Sequence, residues 1–211
     1  RDTDRSRGLG DVYKRQYDSR TGALLEGARF ELRYLSGETS GTGGTVIGEY
    51  ETSKNGSFTV TGLKEGTYIV QELESPDGHL IDSEPQTVYI SGKEQDVVTL
   101  RFGNAPLGSL LITKVSDDEK REPLSDVEFL LTDSSGNFIG TNNGRYVTNS
   151  AGEILVEGLT PGTTVVAREV RAKPGYLLDD SPRYALIRSG ETVGLELSLI
   201  HISEPTRPIS I

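Results

Sequence analysis

The chain predicts an all-β protein built as two tandem β-sandwiches, and three observations support this. Helical periodicity is nearly absent, while alternating segments and turn signals recur about every eight to twelve residues. The segment GLKEGTYIVQELESPDGH at residues 62–79 returns as GLTPGTTVVAREVRAKPGY at residues 158–176. That spacing is too long for a solenoid unit and suits two globular domains. A length of 211 residues leaves room for two small cores.

In the first copy, residues Ala28–Tyr34, Ser57–Thr61, Thr67–Leu73, Gln86–Ile90 and Val97–Phe102 read as strands. The second copy answers with Val127–Thr132, Glu153–Val156, Thr163–Val170, Arg183–Ile187 and Glu191–Glu196, and adds Ser109–Val115 (SLLITKV). Asn55-Gly56 is a strong hairpin signal; Ser135-Gly136-Asn137 and Ala151-Gly152 are weaker ones. Ser36–Gly44 is read as a glycine-rich loop with Thr141–Arg145 as its counterpart, and neither has a phosphate-loop layout. The junction Asn104-Ala-Pro106-Leu-Gly108 sets the domain boundary, since proline ends one run and glycine frees the next.

The two ends read differently. Ser6–Gln16 (SRGLGDVYKRQ) and Leu197–Arg207 (LSLIHISEPTR) back-translate to reverse-complementary DNA and resemble a sequencing-library adapter read through at both ends of an insert. Both ends are therefore set aside from the fold. The expected organisation is adapter-derived disorder at 1–16, one domain at 17–106, a second at 107–196, and an adapter-derived tail at 197–211. With no methionine present, the chain is expected to be a piece of a longer product.

A net charge of −10 argues against nucleic acid and anionic membranes, which reward clustered lysine and arginine. Cysteine is absent, which excludes disulfides, thiolate metal sites and thiol nucleophiles. His79 and the adapter-derived His201 are the sole histidines, too few for a histidine-centred triad or a histidine-rich metal site. Asp117-Asp118-Glu119 and Asp179-Asp180 lack EF-hand spacing and read as solvated turns. Asn55-Gly56-Ser57 matches a glycosylation sequon but reads as a hairpin turn. No cofactor or metal is expected.

A strand-borne lysine, then L-x-G-A-x-F-x-L, then G-L-x-x-G-x-Y-x-x-x-E-x-x-x-P-x-G and a late N-x-P together resemble the Cna B-type (SpaA-like) domain of Gram-positive pilins and adhesins. The resemblance covers Tyr17–Glu196. It implies a prealbumin-like, Greek-key, seven-stranded sandwich with neighbouring first and last strands. It also implies a spontaneous amide bond between a first-strand Lys and a last-strand Asn, catalysed by the Glu of the E-x-x-x-P strand. The departures are Ser116, where the family often has an acid, Thr164 in place of the Tyr matched by Tyr68, and His79 in place of the Tyr matched by Tyr176.

The residue types suit that chemistry. Burial favours a neutral, nucleophilic amine and a protonated carboxyl that can polarise a carboxamide and shuttle a proton to departing ammonia. Carried over by position, the second domain has Lys114 and Glu169, and the first has Glu72 and Asn104. Aligning Leu25–Phe30 with Leu124–Phe129 gives an offset of 99, which puts the first domain's amine position at Arg15 and the second domain's acceptor near residue 202. Each domain is thus expected to be incomplete at one terminal strand and to lack one reacting group, so no bond is expected in this chain. Strand parity alone leaves Glu72 and Glu169 open to a surface role, Lys114 to snorkelling, and Asn104 to a turn role.

The resemblance implies a stalk or pilin-shaft segment, extracellular and attached to the cell wall, with neighbouring repeat domains as partners. No enzymatic activity is expected, apart from single-turnover bond formation in the intact parent. A ligand-binding adhesin domain, with Ser36–Gly44 as contact surface for a host or matrix ligand, and an accessory domain of a secreted hydrolase are the alternatives.

Overall fold

The computed structural model describes residues 10–35, 44–93 and 97–199. Residues 36–43 of the glycine-rich segment, His201 and the neighbourhood of residue 202 lie outside them. Two compact units divide between Pro106 and Leu107, and each is a seven-stranded sandwich.

The first unit comprises β1 (Gly10–Asp18), β2 (Arg29–Leu35), β3 (Thr45–Glu51), β4 (Ser57–Leu63), β5 (Gly66–Glu74), β6 (Gln86–Ile90) and β7 (Val97–Asn104). A three-stranded sheet, β4-β1-β7, faces a four-stranded sheet, β3-β2-β5-β6. The second unit repeats the plan with β8 (Gly108–Ser116), β9 (Glu128–Asp133), β10 (Arg145–Val147), β11 (Glu153–Leu159), β12 (Thr164–Arg171), β13 (Arg183–Leu186) and β14 (Thr192–Leu199). Its sheets run β11-β8-β14 and β10-β9-β12-β13.

In each unit the first strand pairs antiparallel with the fourth and parallel with the last. The inward side chains of the two sheets then meet in one core. Phe30, Leu32, Tyr68, Val70, Ile90 and Phe102 lead it in the first unit, with Phe30 and Phe102 edge-on at 5.1 Å between centroids. Ile112, Phe129, Leu131, Val165 and Ile187 do so in the second.

The structure corrects the expected treatment of the ends. Gly10–Gln16, expected to be disordered, forms most of β1, and Leu197–Leu199, expected in the tail, completes β14. Neither terminal strand is missing. The structure also adds β3 and the short β10, neither of which the sequence announced.

Two glycines hold the first strands in place. Gly56 (φ +68°) gives its carbonyl to Gln16 N–H at 2.7 Å, and a Cβ there would stand 2.6 Å from Gln16 O. Gly152 (φ +72°) does the same to Lys114 at 2.8 Å, with a Cβ 2.5 Å from Lys114 O. Both the left-handed backbone and the close approach exclude a side chain. Gly56→Ala is expected to lower the stability of the first unit by about 1–3 kcal/mol while leaving the second unchanged, measured by urea unfolding with a probe in each unit.

Candidate functional site

The burial question left open by strand parity is answered in both units. Lys114, Glu72, Glu169 and Asn104 are each at most 2% exposed. Glu72 follows Tyr68 and Val70 on the inner face of β5. Asn104 ends β7, and Lys114 continues the inward row Leu110, Ile112 of β8.

In the first unit, Asn104 Nδ2 donates to both Glu72 carboxylate oxygens, at 3.0 and 2.9 Å, and to Leu80 O at 2.9 Å. Asp82 N–H donates to Glu72 Oε2 at 2.8 Å. Burial pushes the Glu72 carboxyl above its ordinary range, against the opposing pull of Asn104, the Asp82 N–H and the Lys14 charge. In the second unit, Lys114 Nζ lies 2.9 Å from Glu169 Oε2 and 3.4 Å from Ser198 O. Burial likewise raises the Glu169 carboxyl, against its bond to Lys114. The structure therefore brings together Glu72 with Asn104, and Lys114 with Glu169.

The backbone identifies the position that corresponds to Lys114. Lys114 N–H donates to Gly152 O and its carbonyl accepts from Leu124 N–H; Gln16 N–H donates to Gly56 O and its carbonyl accepts from Leu25 N–H. The position is Gln16, not Arg15, whose side chain is on the exposed face of β1. The turn after β8 has one residue more than the turn after β1, so the offset of 99 taken beyond the turn falls to 98 on the strand. At the other end, Asp18 pairs with Asn104 as Ser116 pairs with Leu199. The position of the second unit that matches Asn104 is thus Leu199, not a residue near 202.

A lysine does lie on the front strand of the first unit, which the sequence reading did not allow. Lys14 is fully buried one inward position before Gln16, with Nζ 2.9 Å from the Phe102 ring centroid and 3.6 Å from that of Phe30. Its register partner is Leu100, four residues before Asn104. Burial lowers its pKa from 10.5 to about 6, against the attraction of Glu72 and Asp82. Among the described residues, Lys14 Nζ, both polar atoms of Gln16 and Asn104 Oδ1 are buried without hydrogen-bond partners. The amine faces aromatic rings and the carboxamide faces Glu72, with Gln16 at the position between them.

Beside this site, His79 Nε2 and Asp18 Oδ2 are 2.8 Å apart. Burial pushes the Asp18 carboxyl up, but the His79 ring and the N–H groups of Thr21 and Arg20 outweigh it and hold it below the usual range. Among the described residues, no group of three or more His, Cys, Asp or Glu is placed to hold a metal, and no helix is long and apolar enough to cross a membrane.

Fold and site define a tandem of β-sandwiches, each with one carboxyl buried opposite its paired first and last strands. The chain belongs to the family of the SpaA prealbumin-like fold domain, which matches residues 10–106 and 108–198. A curated relative, the serine-aspartate repeat-containing protein F of Staphylococcus epidermidis, is 27% identical over 72% of this chain. The match spans 9% of that relative's length. Among solved structures, the shaft pilin SpaA of Lactobacillus rhamnosus GG aligns with a TM-score of 0.55 at 13% identity, covering 93% of this chain and 98% of the pilin. A streptococcal ancillary pilin aligns with a TM-score of 0.53 at 24% identity, covering 95% and 63%. At these identities the structural likeness shows the fold.

Two outcomes follow from the burial. The folded first unit holds Lys14 with a pKa near 6 against 10.5 unfolded. Between those values the unfolded chain binds more protons, so stability rises with pH across that window. Lys14→Met is expected to flatten that rise in urea midpoints measured from pH 6 to 10. In the second unit, Lys114→Met leaves the buried Glu169 carboxyl without its partner and is expected to cost about 3–5 kcal/mol, whereas Lys114→Met with Glu169→Leu restores most of it. Chemical denaturation of the single and double variants checks this.

Proposed function

We propose that the chain is a load-bearing segment of a stalk or pilin shaft on a Gram-positive cell surface. Its domains are of a kind locked by a Lys–Asn amide bond, and in this chain each domain has two of the three groups required. The observation that carries this reading is the pair of complementary half-sites, Glu72 with Asn104 and Lys114 with Glu169, all four groups buried. Such burial is costly for polar groups and adds little to a sandwich that serves only as a spacer.

The chemistry runs through the groups named. A neutral lysine amine attacks the asparagine carboxamide carbon, while a protonated glutamate donates to the carboxamide oxygen. The new C–N bond forms, the old one breaks, and the glutamate relays the amine proton to departing ammonia. Closely held reactants in a dry core lower the barrier further. A link from strand one to strand seven would close most of a domain into a loop, worth roughly 4–5 kcal/mol if it follows the chain-entropy relation for disulfides. It would also join the two strands nearest the domain's ends, where tension enters. Surface location, wall attachment and neighbouring repeats as partners belong to the same reading, supported by the pilin and repeat-protein likenesses.

In the register described, Gln16 takes the place of the amine and Leu199 that of the acceptor, so the unsubstituted chain is expected to keep its full mass. Gln16→Lys should complete the first unit and Leu199→Asn the second, each lowering intact mass by one ammonia. Adding Glu72→Gln or Glu169→Gln, respectively, should restore the full mass. A folded Gln16→Lys protein of unchanged mass would overturn the reading.

A further inference from the structure

We propose that His79 and Asp18 form a clasp that positions the Glu72–Asn104 pair of the first unit, making His79 a positioning residue of that site. The proposal rests on the reading of this pair as the acceptor half of a bond-forming site. In the sequence, His79 stands where the second copy of the repeat has Tyr176.

The segment from His79 to Asp82 holds both halves of the pair. Leu80 O accepts from Asn104 Nδ2 at 2.9 Å, and Asp82 N–H donates to Glu72 at 2.8 Å. The segment therefore aims the carboxamide and fixes one carboxylate oxygen. The preceding turn holds it through His79 N–H to Pro76 O at 3.1 Å and Ser75 Oγ to His79 O at 2.9 Å, and among the described residues three contacts reach beyond that turn. Leu80 N–H donates to Ala105 O at 2.8 Å, His79 forms an isolated bridge with Pro106, and the His79 ring bonds Asp18. The first two tie the segment to the end of β7; only the ring reaches β1.

Asp18 suits that role because the turn that follows it fixes its carboxylate. Its Oδ1 accepts from Arg20 and Thr21 N–H at 2.8 and 2.9 Å, leaving Oδ2 for the histidine. Ser19 N–H donates to Asn104 O at 2.9 Å, so the turn that presents Asp18 also holds the asparagine backbone. The other ring nitrogen, Nδ1, lies 2.9 Å from Asp77 O, which sets the ring's orientation. A hydrogen bond to a carboxylate is stronger than one between neutral groups and gives the loop a single resting place.

At the matching positions the second unit carries neither a histidine nor a carboxylate. Ser116 stands at the place of Asp18 and bonds within its own turn, to Asp118 at 2.8 Å and from Glu122 N–H at 2.9 Å. Tyr176 stands at the place of His79 and packs against the core. The device belongs to the first unit, whose site retains the acceptor.

Hydrogen exchange followed by NMR on the whole chain tests this without requiring the bond. His79→Phe should speed exchange of the Asp82 amide and the Asn104 carboxamide by about tenfold or more, the scale of one charge-assisted bond. The amides of Leu32 and Leu131 should stay unchanged. His79→Gln, which keeps a donor for Asp18, should restore most of the protection, and Asp18→Asn should reproduce the loss. In a Gln16→Lys background, ammonia release should slow in the same order. Unchanged exchange at Asp82 and Asn104, an equal rise at Leu32, or a glutamine variant no better than phenylalanine overturns the clasp. Absence of ammonia loss in Gln16→Lys itself speaks against the bond-forming reading and leaves the exchange result to judge the clasp.

Discussion

The parallel ladder between first and last strands is the constraint on which the rest of each unit depends. It closes the three-stranded sheet, and with it one wall of the core. It also decides which inward position on the first strand faces which inward position on the last. Side chains in a strand alternate with a period of two, so a position is either aimed at the buried glutamate or a full inward step away, about 6.6 Å. Lys14 and Gln16 differ by one such step. That step separates an amine packed on Phe30 and Phe102 from one that would meet Asn104.

The two units divide the costs of burial differently. In the second, Lys114 and Glu169 face each other at 2.9 Å, and each offsets the other's desolvation. In the first, Glu72 is satisfied by Asn104 and the Asp82 amide, while Lys14 has aromatic neighbours and no hydrogen-bond acceptor, so its proton is held weakly. Lys14 Nζ and both polar atoms of Gln16, on the inner face of β1, are buried without hydrogen-bond partners among the described residues.

Much of this was legible in the sequence, for physical reasons. The glutamate strands lay inside a repeated phrase, although both faces of those strands carry apolar residues and left the glutamates' burial open. Asn55-Gly56 announced the hairpin whose glycine presses on β1. By contrast, β1 sends Val12, Lys14, Gln16 and Asp18 inward, a row with one apolar member that hydrophobic patterning cannot detect. β3 is an edge strand and mostly exposed, so it too lacks a buried face to read. The position matching Lys114 was misplaced by one residue because the sequence anchor lay beyond a turn whose length differs between copies. Hydrogen bonds to Gly56 and Gly152 locate it directly. The His79–Asp18 contact spans 61 positions and has no local sequence signature.

In the proposed site, strand register alone would select the amine position of the first unit. This is tested most directly by comparing Arg15→Lys with Gln16→Lys and mapping cross-linked peptides after digestion. The account predicts a peptide joining residue 16 to Asn104 in the second variant and none in the first. A link from residue 15, or from Lys14 in the unsubstituted chain, would contradict it.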